Sequence, residues 1–385
     1  MAGCRRGSVD PPAQLQEQST PQTMSVNAPQ LGTATDTGPI GEPLVQRPVA
    51  ETVESKAFST GTESLSSPSA SASSVPLRPV TPSTTSDPGP EAAQALEQQL
   101  AEFVVPPAWL ATVQSSWDRS KPWQEARLEI RRLLGIGNED SRREALWLMW
   151  VYRQRNDLGD GHEYSMYTFL GKEPVWAILA CREWLDRKDH QYAPSFCLKA
   201  LASLYMDRGM FREAEQILLK GLNWPPAEET WRRAEFLDSL GDLYVAWGRT
   251  GEARSYYQDS IRLYPRTNPP YGQHLIPRRV KTIQSKLDVL SMGSLESVTL
   301  RNGNWNATVP GYTEDLLVTA RVRQGRLEEI QIKHNEKIDQ GATTIIPRRI
   351  VDLQTLNVDG ISGATITKDA IVIGTLNALR EAGLP

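Results

Sequence analysis

The residues with the clearest chemical pattern lie near the C-terminal end of this 385-residue chain. They form the segment Asp359-Gly360-Ile361-Ser362-Gly363-Ala364-Thr365-Ile366-Thr367. Gly363 and Ala364 are small enough for a ligand to approach the backbone, and Ser362 and Thr365 offer hydroxyl groups. Thr367 stands where a helix is predicted to begin, and the unpaired N–H groups at a helix start favour an anion. The segment therefore fits the binding of an anionic group such as a phosphate.

Short strands are predicted to precede this segment. Beyond Gly293 the apolar residues alternate with polar ones, which is typical of strands. The alternation predicts strands around residues 298–300, 305–309 and 318–322, and Gln324-Gly325 suits a hairpin turn. After that turn Leu327 falls on the opposite parity from the next apolar residues, which predicts a β-bulge in the second arm.

Two helices are predicted to flank the segment. Residues 345–353 have helical periodicity interrupted by Pro347, and residues 369–380 form a final amphipathic pattern. Strands and helices together predict a small α+β domain over residues 293–385.

Residues 298–383 resemble the FMN-binding domain found in the C subunit of the sodium-pumping NADH:quinone oxidoreductase and in the G subunit of the Rnf complex. The resemblance rests on Gly311-Tyr312-Thr313, on His334-Asn335-Glu336 and on the DxxSGATxT segment. A chance match to that last pattern has a probability on the order of 10⁻⁴. In the family, an FMN transferase outside the cytoplasm joins the final threonine to FMN through a phosphoester.

The resemblance implies that FMN is the cofactor and that Thr367 is its attachment point. It also places five further residues of the segment at the flavin site: Thr365, Ala364, Gly363, Ser362 and Asp359.

Other interpretations of these residues stay open. Thr367 also suits a plain helix cap, and Asp359 suits either a loop acid that the transferase reads or an ordinary turn residue. Lys368 offers a counter-charge, although serine often stands there in the family. His334 and Glu336 are weaker candidates, because solvated strand-end residues explain them equally well.

Residues 91–292 have helical periodicity, with Pro or Gly at the turns. Two segments, clearest over residues 195–265, superpose with an offset of 39 residues and resemble the tetratricopeptide repeat. The matching positions in the first segment are Leu198, Leu201, Ala202, Tyr205, Gly209, Ala214, Leu218, Gly221 and Pro226. Those in the second are Leu237, Leu240, Gly241, Tyr244, Gly248, Ala253, Tyr257, Ser260 and Pro265.

This region is predicted to form an all-α stack of paired helices. Tryptophan-rich helices at 122–155 and 174–188 are expected to extend the stack toward the N-terminus, with most tryptophans in its core, and 278–290 to close it. Such stacks usually bind a protein partner, and the alternative is a spacer without a ligand.

Residues 1–90 are predicted to be a disordered tether. They hold 13 of the 27 prolines and a single aromatic residue, Phe58. The whole chain carries a net charge of −4, so no basic surface for nucleic acid is implied. The three cysteines and four histidines lack the spacing of a metal site.

Cys4 has a sequence context different from that of Cys181 and Cys197, which are expected to be buried. Ala2-Gly3-Cys4 resembles the end of a bacterial lipoprotein signal, in which the cysteine is acylated. Together with the extracytoplasmic transferase, this predicts a periplasmic protein held at a membrane by a lipid, with the rest of the signal encoded upstream of Met1.

These observations favour a covalent flavoprotein for electron transfer over a self-contained oxidoreductase, because no nicotinamide fingerprint or second cofactor motif is present. Its expected partners are the transferase, redox proteins and a ligand of the repeats. The alternatives are a scaffold protein whose C-terminal domain carries no flavin and a protein that binds FMN noncovalently.

A chain that begins at Glu91 should keep the thermal midpoint of the full-length protein, because residues 1–90 have almost no apolar surface to bury. Differential scanning calorimetry of the two proteins is the measurement. A midpoint lower by several degrees in the shortened chain would contradict the tether interpretation.

Overall fold

The computed structural model describes residues 90–158, 161–187, 190, 194–224, 230–270, 272–358, 360–361 and 363–385. The predicted tether, with Cys4, lies outside the described residues, as do Asp359 and Ser362. The described chain is mainly helical, with one three-stranded antiparallel sheet near its C-terminal end.

Ten helices precede the sheet within the described residues. They are α1 Pro90–Glu102, α2 Trp123–Ile136, α3 Glu139–Gln154, α4 Gly161–Leu170, α5 Pro174–Leu185, α6 Ser195–Met206, α7 Phe211–Leu222, α8 Thr230–Ala246, α9 Thr250–Leu263 and α10 Ile276–Ser291. None of the helices in the described residues is both long enough and apolar enough to span a bilayer.

Aromatic side chains fill the core of α2 to α5, as the sequence predicts. Trp123 and Trp176 are buried, and each indole N–H has a partner. Trp123 Nε1 donates to Glu163 Oε2 at 2.9 Å, and Trp176 Nε1 donates to the Tyr164 hydroxyl at 2.6 Å. These bonds remove the cost of burying a polar indole group.

The two repeat-like segments form the helix pairs α6/α7 and α8/α9. Gly209 and Gly248 follow the first helix of each pair with φ of 71° and 76°, a backbone conformation that glycine adopts without strain. Gly241 lets α8 and α9 pack closely, because a β-carbon at position 241 would lie 2.2 Å from a ring carbon of Tyr257. Residues 230–233 make α8 one turn longer at its start than α6. This extra turn accounts for most of the residues by which the 39-residue offset exceeds an ordinary tetratricopeptide repeat.

Cys181 and Cys197 are free and fully buried in the core of the helical region, as expected from their apolar surroundings. Ser165 Oγ lies 2.9 Å from the Cys197 sulfur.

A buried carboxylate joins three helices of the repeat region. Glu235 on α8 is 7% exposed, and it binds Lys199 on α6 at 2.9 Å and Arg279 on α10. Burial alone would raise the pKa of Glu235, but the two cations lower it to about 2. The ionised side chain therefore fixes the closing helix α10 against the repeats.

The sheet has the strand order β1-β2-β3, with β1 Gly303–Pro310, β2 Asp315–Arg323 and β3 Arg326–Lys333. The predicted turn at Gln324-Gly325 is confirmed, and both residues have positive φ. The predicted bulge is also confirmed, because the pairing of β2 with β3 shifts between Arg321 and Val322.

The strand predicted at residues 298–300 is wrong. Leu300 N donates to Gly325 O at 3.2 Å, but the next N–H, of Arg301, donates to Ala382 O at 2.8 Å. The backbone leaves the sheet edge after one bond, so no ladder forms. The apolar Leu300 is buried all the same, which explains the strand-like pattern.

Two helices cover one face of the sheet, with α11 Ala342–Leu353 on β3 and α12 Thr365–Glu381 on β1 and β2. The predicted interruption of α11 at Pro347 is wrong, because the helix runs through it. Pro347 is buried beside Ile346 and Ile350, so apolar packing offsets the missing N–H. α12 begins four residues before the predicted start, which places Thr367 within its first turn.

Replacing Glu235 with Gln should lower the free energy of unfolding at pH 7 by about 3 kcal/mol, because two cations lose a buried partner. Since the pKa of Glu235 is lowered from 4.5 to about 2, its contribution is fully present above pH 4.5 and is lost as the pH falls toward 2. The difference between wild type and variant should therefore shrink in acid. Denaturant titration followed by tryptophan fluorescence measures both effects.

Glu183→Gln is the control, because the Glu183–Arg153 pair is exposed. It should change the unfolding free energy by less than about 1 kcal/mol. Equal effects of the two substitutions would refute the role given to Glu235.

Candidate functional site

A tight turn leads into α12 and sets the place of the threonines. Gly363 has φ of 82°, and Ala364 is the N-cap residue without any side-chain cap bond. The Ala364 N–H donates to Ile361 O at 2.9 Å, which closes the turn. Glycine suits position 363 because other residues rarely adopt this backbone conformation.

The two threonines at the start of α12 have different surroundings. Thr365, the first helical residue, is exposed, whereas Thr367 is 2% exposed. Thr367 Oγ1 donates to Glu336 Oε2 at 3.4 Å. The alternative in which Thr367 caps the helix is wrong, because Ala364 holds the cap position.

Glu336 connects Thr367 with a turn between β1 and β2. Its Oε1 accepts the backbone N–H groups of Tyr312 at 2.7 Å and of Thr313 at 3.2 Å. Glu336, which the sequence ranks as a weak candidate, therefore lies against Thr367, and the Gly311-Tyr312-Thr313 turn holds Glu336. The only signal of this in the sequence is that both belong to the stretches that carry the family resemblance.

Gly311 provides the space that Glu336 occupies. A β-carbon at position 311 would lie 2.2 Å from Glu336 Oε1 and 2.0 Å from Leu316 Cδ1. Both distances are far below van der Waals contact, so any side chain at Gly311 would displace the carboxylate or the strand.

The helical region packs against the same loops. Arg278 on α10 donates to Gly311 O at 2.6 Å. Gln340 Nε2 donates to Leu170 O at 2.8 Å, and Lys172 Nζ donates to Gln340 O at 3.2 Å. A β-carbon at position 363 would lie 3.4 Å from a ring carbon of Phe169, near the end of α4. The turn that carries the threonines is thus covered by the end of α4.

A buried ionic cluster holds α12 against the helical region. Lys286 on α10 lies 3.0 Å from Asp369 on α12, 3.0 Å from Asp238 and 2.9 Å from Asp242. Lys368 binds the other oxygen of Asp369 at 3.1 Å. The lysine expected to be a counter-charge for a ligand is thus paired with the next residue in the chain.

The cluster contains three carboxylates and two ammonium groups. Burial alone would lower the pKa of Lys286, but the three carboxylates hold it well above its usual value. Burial raises the pKa of Asp238 to about 6, with Lys286 opposing and the other two carboxylates adding to the shift. Asp238 is therefore the first carboxylate of this cluster to take up a proton as the pH falls, and Asp369 stays ionised.

Comparison with known proteins supports part of the sequence analysis. Residues 234–267 match the family model of the tetratricopeptide repeat, which confirms this prediction for the segment that contains α8 and α9. The chain is also 35% identical over 89 residues to a protein named NADH:acrylate oxidoreductase from Vibrio harveyi. That match covers 22% of this chain and 9% of the relative. No solved structure matches the chain significantly.

Gly311→Ala should destabilise the C-terminal sheet and its turn by about 1 to 3 kcal/mol, because the added methyl group overlaps Glu336 and Leu316. The control is Gly293→Ala, since nothing lies within 4 Å of a β-carbon at position 293. Denaturant unfolding of both variants is the test. A stability for Gly311→Ala equal to that of wild type would mean that the turn does not hold Glu336 as described.

Proposed function

We propose that this chain is an extracytoplasmic electron-transfer protein that carries FMN covalently on Thr367. The observation that carries the proposal is the Thr367 hydroxyl, which lies in the first turn of α12 within 3.4 Å of a carboxylate oxygen. The segment around it has the residue types of a flavin attachment site. The partial similarity to a protein named as an oxidoreductase supports a redox role.

The described residues fit this cofactor in their chemistry. Thr367 supplies the alcohol oxygen that a phosphoester requires, and the start of α12 offers N–H groups that favour a phosphate. Gly363 and Ala364 add little bulk, and Thr365 adds an exposed hydroxyl. Asp359 and Ser362 complete the proposed site outside the described residues. When bound, the flavin supplies the redox chemistry, and the protein supplies attachment and electrostatics.

The burial of Thr367 places a condition on this function. A transferase cannot reach a side chain that is 2% exposed, so the covering segments have to separate before attachment. The end of α4 and the loop around Gln340, which meet through two hydrogen bonds, lie beside Gly363 in the same segment. Attachment therefore belongs before docking or during a transient opening.

The helical region is proposed to bind a protein partner, on the evidence of its tetratricopeptide repeat. The FMN transferase and a redox protein are the further proposed partners. Periplasmic location and a lipid on Cys4 rest on the Ala-Gly-Cys tripeptide and on where the family is modified, so they stay proposals.

The second candidate function is a scaffold in which the repeats bind partners while the C-terminal domain carries no covalent flavin. The burial of Thr367 favours it, since a closed acceptor stays unmodified unless it opens. Noncovalent FMN is a variant of this alternative, and it would be released by acid.

Thr367→Val should abolish acid-stable flavin when the protein is exported together with an FMN transferase, because valine lacks the acceptor oxygen. It should cost only about 1 kcal/mol of stability through the lost bond to Glu336. Intact mass of the wild type should show an increment of FMN less water, and acid-precipitated wild type should keep its visible absorbance.

Thr365→Val is the comparison on the same helical turn: it keeps the acceptor oxygen, so it should still carry covalent flavin, with weaker attachment or an altered flavin environment. Loss of flavin in Thr365→Val alone would move the attachment to the exposed threonine. Absence of flavin from the wild type in the presence of an active transferase would establish the scaffold function instead.

A further inference from the structure

We propose that Glu336 is the positioning residue for the acceptor hydroxyl, and that it takes the proton of Thr367 when the phosphoester forms. This inference rests on the proposed function. It assigns to the C-terminal domain, rather than to the transferase alone, a part in its own modification.

The two oxygens of the Glu336 carboxylate have separate contacts. Oε1 is held by the backbone N–H groups of Tyr312 and Thr313, and Oε2 receives the hydrogen of Thr367 Oγ1. Two N–H bonds to one oxygen leave the carboxylate little rotational freedom, so the other oxygen has a fixed direction toward Thr367. The distance of 3.4 Å is longer than a tight O–H···O bond, as is common for a catalytic pair before its substrate binds.

Glu336 is also the carboxylate near the start of α12 that is not neutralised by an ion pair. Among the described residues no lysine or arginine forms an ion pair with it, whereas Asp369 is paired with both Lys286 and Lys368. A carboxylate held by two ammonium groups is a poor proton acceptor. The hydrogen bonds to Glu336 come from neutral donors, and the Arg278 guanidinium interacts with it electrostatically without an ion pair, so Oε2 stays available to the Thr367 hydroxyl.

The threonine has local alternatives that the structure does not use. A threonine in the first turn of a helix often bonds to a backbone carbonyl three or four residues earlier. The hydrogen bond of Thr367 instead reaches across 31 residues to Glu336. This contact joins the acceptor helix to the strand-end loop, and Gly311 leaves the room that the carboxylate needs.

The proposed step balances with a flavin dinucleotide as donor, in which the FMN phosphate forms a phosphoanhydride. The bond between Thr367 Oγ1 and phosphorus forms while the anhydride P–O bond breaks, and the nucleoside monophosphate leaves. The hydroxyl proton passes to Glu336 Oε2 and from there to solvent. No atom changes its oxidation state.

Glu336→Gln separates the two roles of the side chain. The amide oxygen still accepts the two backbone N–H groups, while the NH₂ group faces Thr367 and donates where the carboxylate accepted. The full-length chain, purified without flavin, is incubated with purified FMN transferase and FAD, and covalent flavin is followed by intact mass over a range of protein concentrations.

We expect Glu336→Gln to lower the kcat of transfer by about 100-fold or more, as for loss of a general base, with KM for the protein and the denaturation midpoint unchanged. Glu336→Asp, which keeps the carboxylate, should recover part of the rate. The control is Glu314→Gln in the same turn, whose carboxylate accepts from Asn335 at 2.7 Å and should be neutral for transfer.

Three outcomes would overturn the inference. A wild-type rate for Glu336→Gln shows that the carboxylate takes no part. A rise in KM together with a lower denaturation midpoint shows that Glu336 only maintains the fold. Failure of the wild type to accept flavin overturns the proposed function and this inference with it, whereas the first two outcomes overturn the inference alone.

Discussion

The buried ammonium group of Lys286 is the interaction on which the arrangement of the site depends. A charge that is 9% exposed is stable only when it is paired, and three aspartates surround it. Two of them belong to the repeat helix α8, and the third, Asp369, is two residues beyond Thr367. Removal of Lys286 would leave buried carboxylates in the interface without their cation. The cluster therefore fixes the start of α12 relative to the helical region, although none of its members belongs to the sequence pattern that indicates chemistry.

This docking gives the two acidic residues near Thr367 different properties. Asp369 faces the helical region and is neutralised by Lys286 and Lys368. Glu336 faces the sheet, is bound by backbone N–H groups and lies against the threonine hydroxyl. In the same arrangement the end of α4 lies beside Gly363, and Thr367 is buried. The orientation of the acceptor hydroxyl by Glu336 and the burial of the acceptor are thus two separate properties of the site.

The helical region has two roles. Its helix pairs have the packing of a tetratricopeptide repeat, in which Gly241 and Tyr257 bring α8 and α9 into close contact. Its closing helix α10 also bonds to the C-terminal domain, through Arg278 to the Gly311 turn and through Lys286 to α12. A partner that shifts α10 would act on both contacts. The repeats and the candidate site are therefore mechanically connected in the described structure.

The sequence by itself determined the local features. Alternating and helical periodicities predicted the hairpin, the bulge, the repeat helices and the tryptophan core, because each depends on neighbours close in the chain. It also singled out Thr367 through the resemblance of the surrounding segment to a flavin attachment site. Only the tertiary structure decided that Thr367 is buried, that Glu336 holds its hydroxyl and that Lys368 is paired with Asp369. The contacts of Thr367 with Glu336 and of Asp369 with Lys286 join residues 31 or more positions apart, which no periodicity records. Lys368 and Asp369 are neighbours in the chain, but their pairing belongs to that buried cluster. The failed predictions have the same cause. Leu300 and Pro347 are buried by distant parts of the fold, and that burial outweighs their local preferences for a strand and for a helix break.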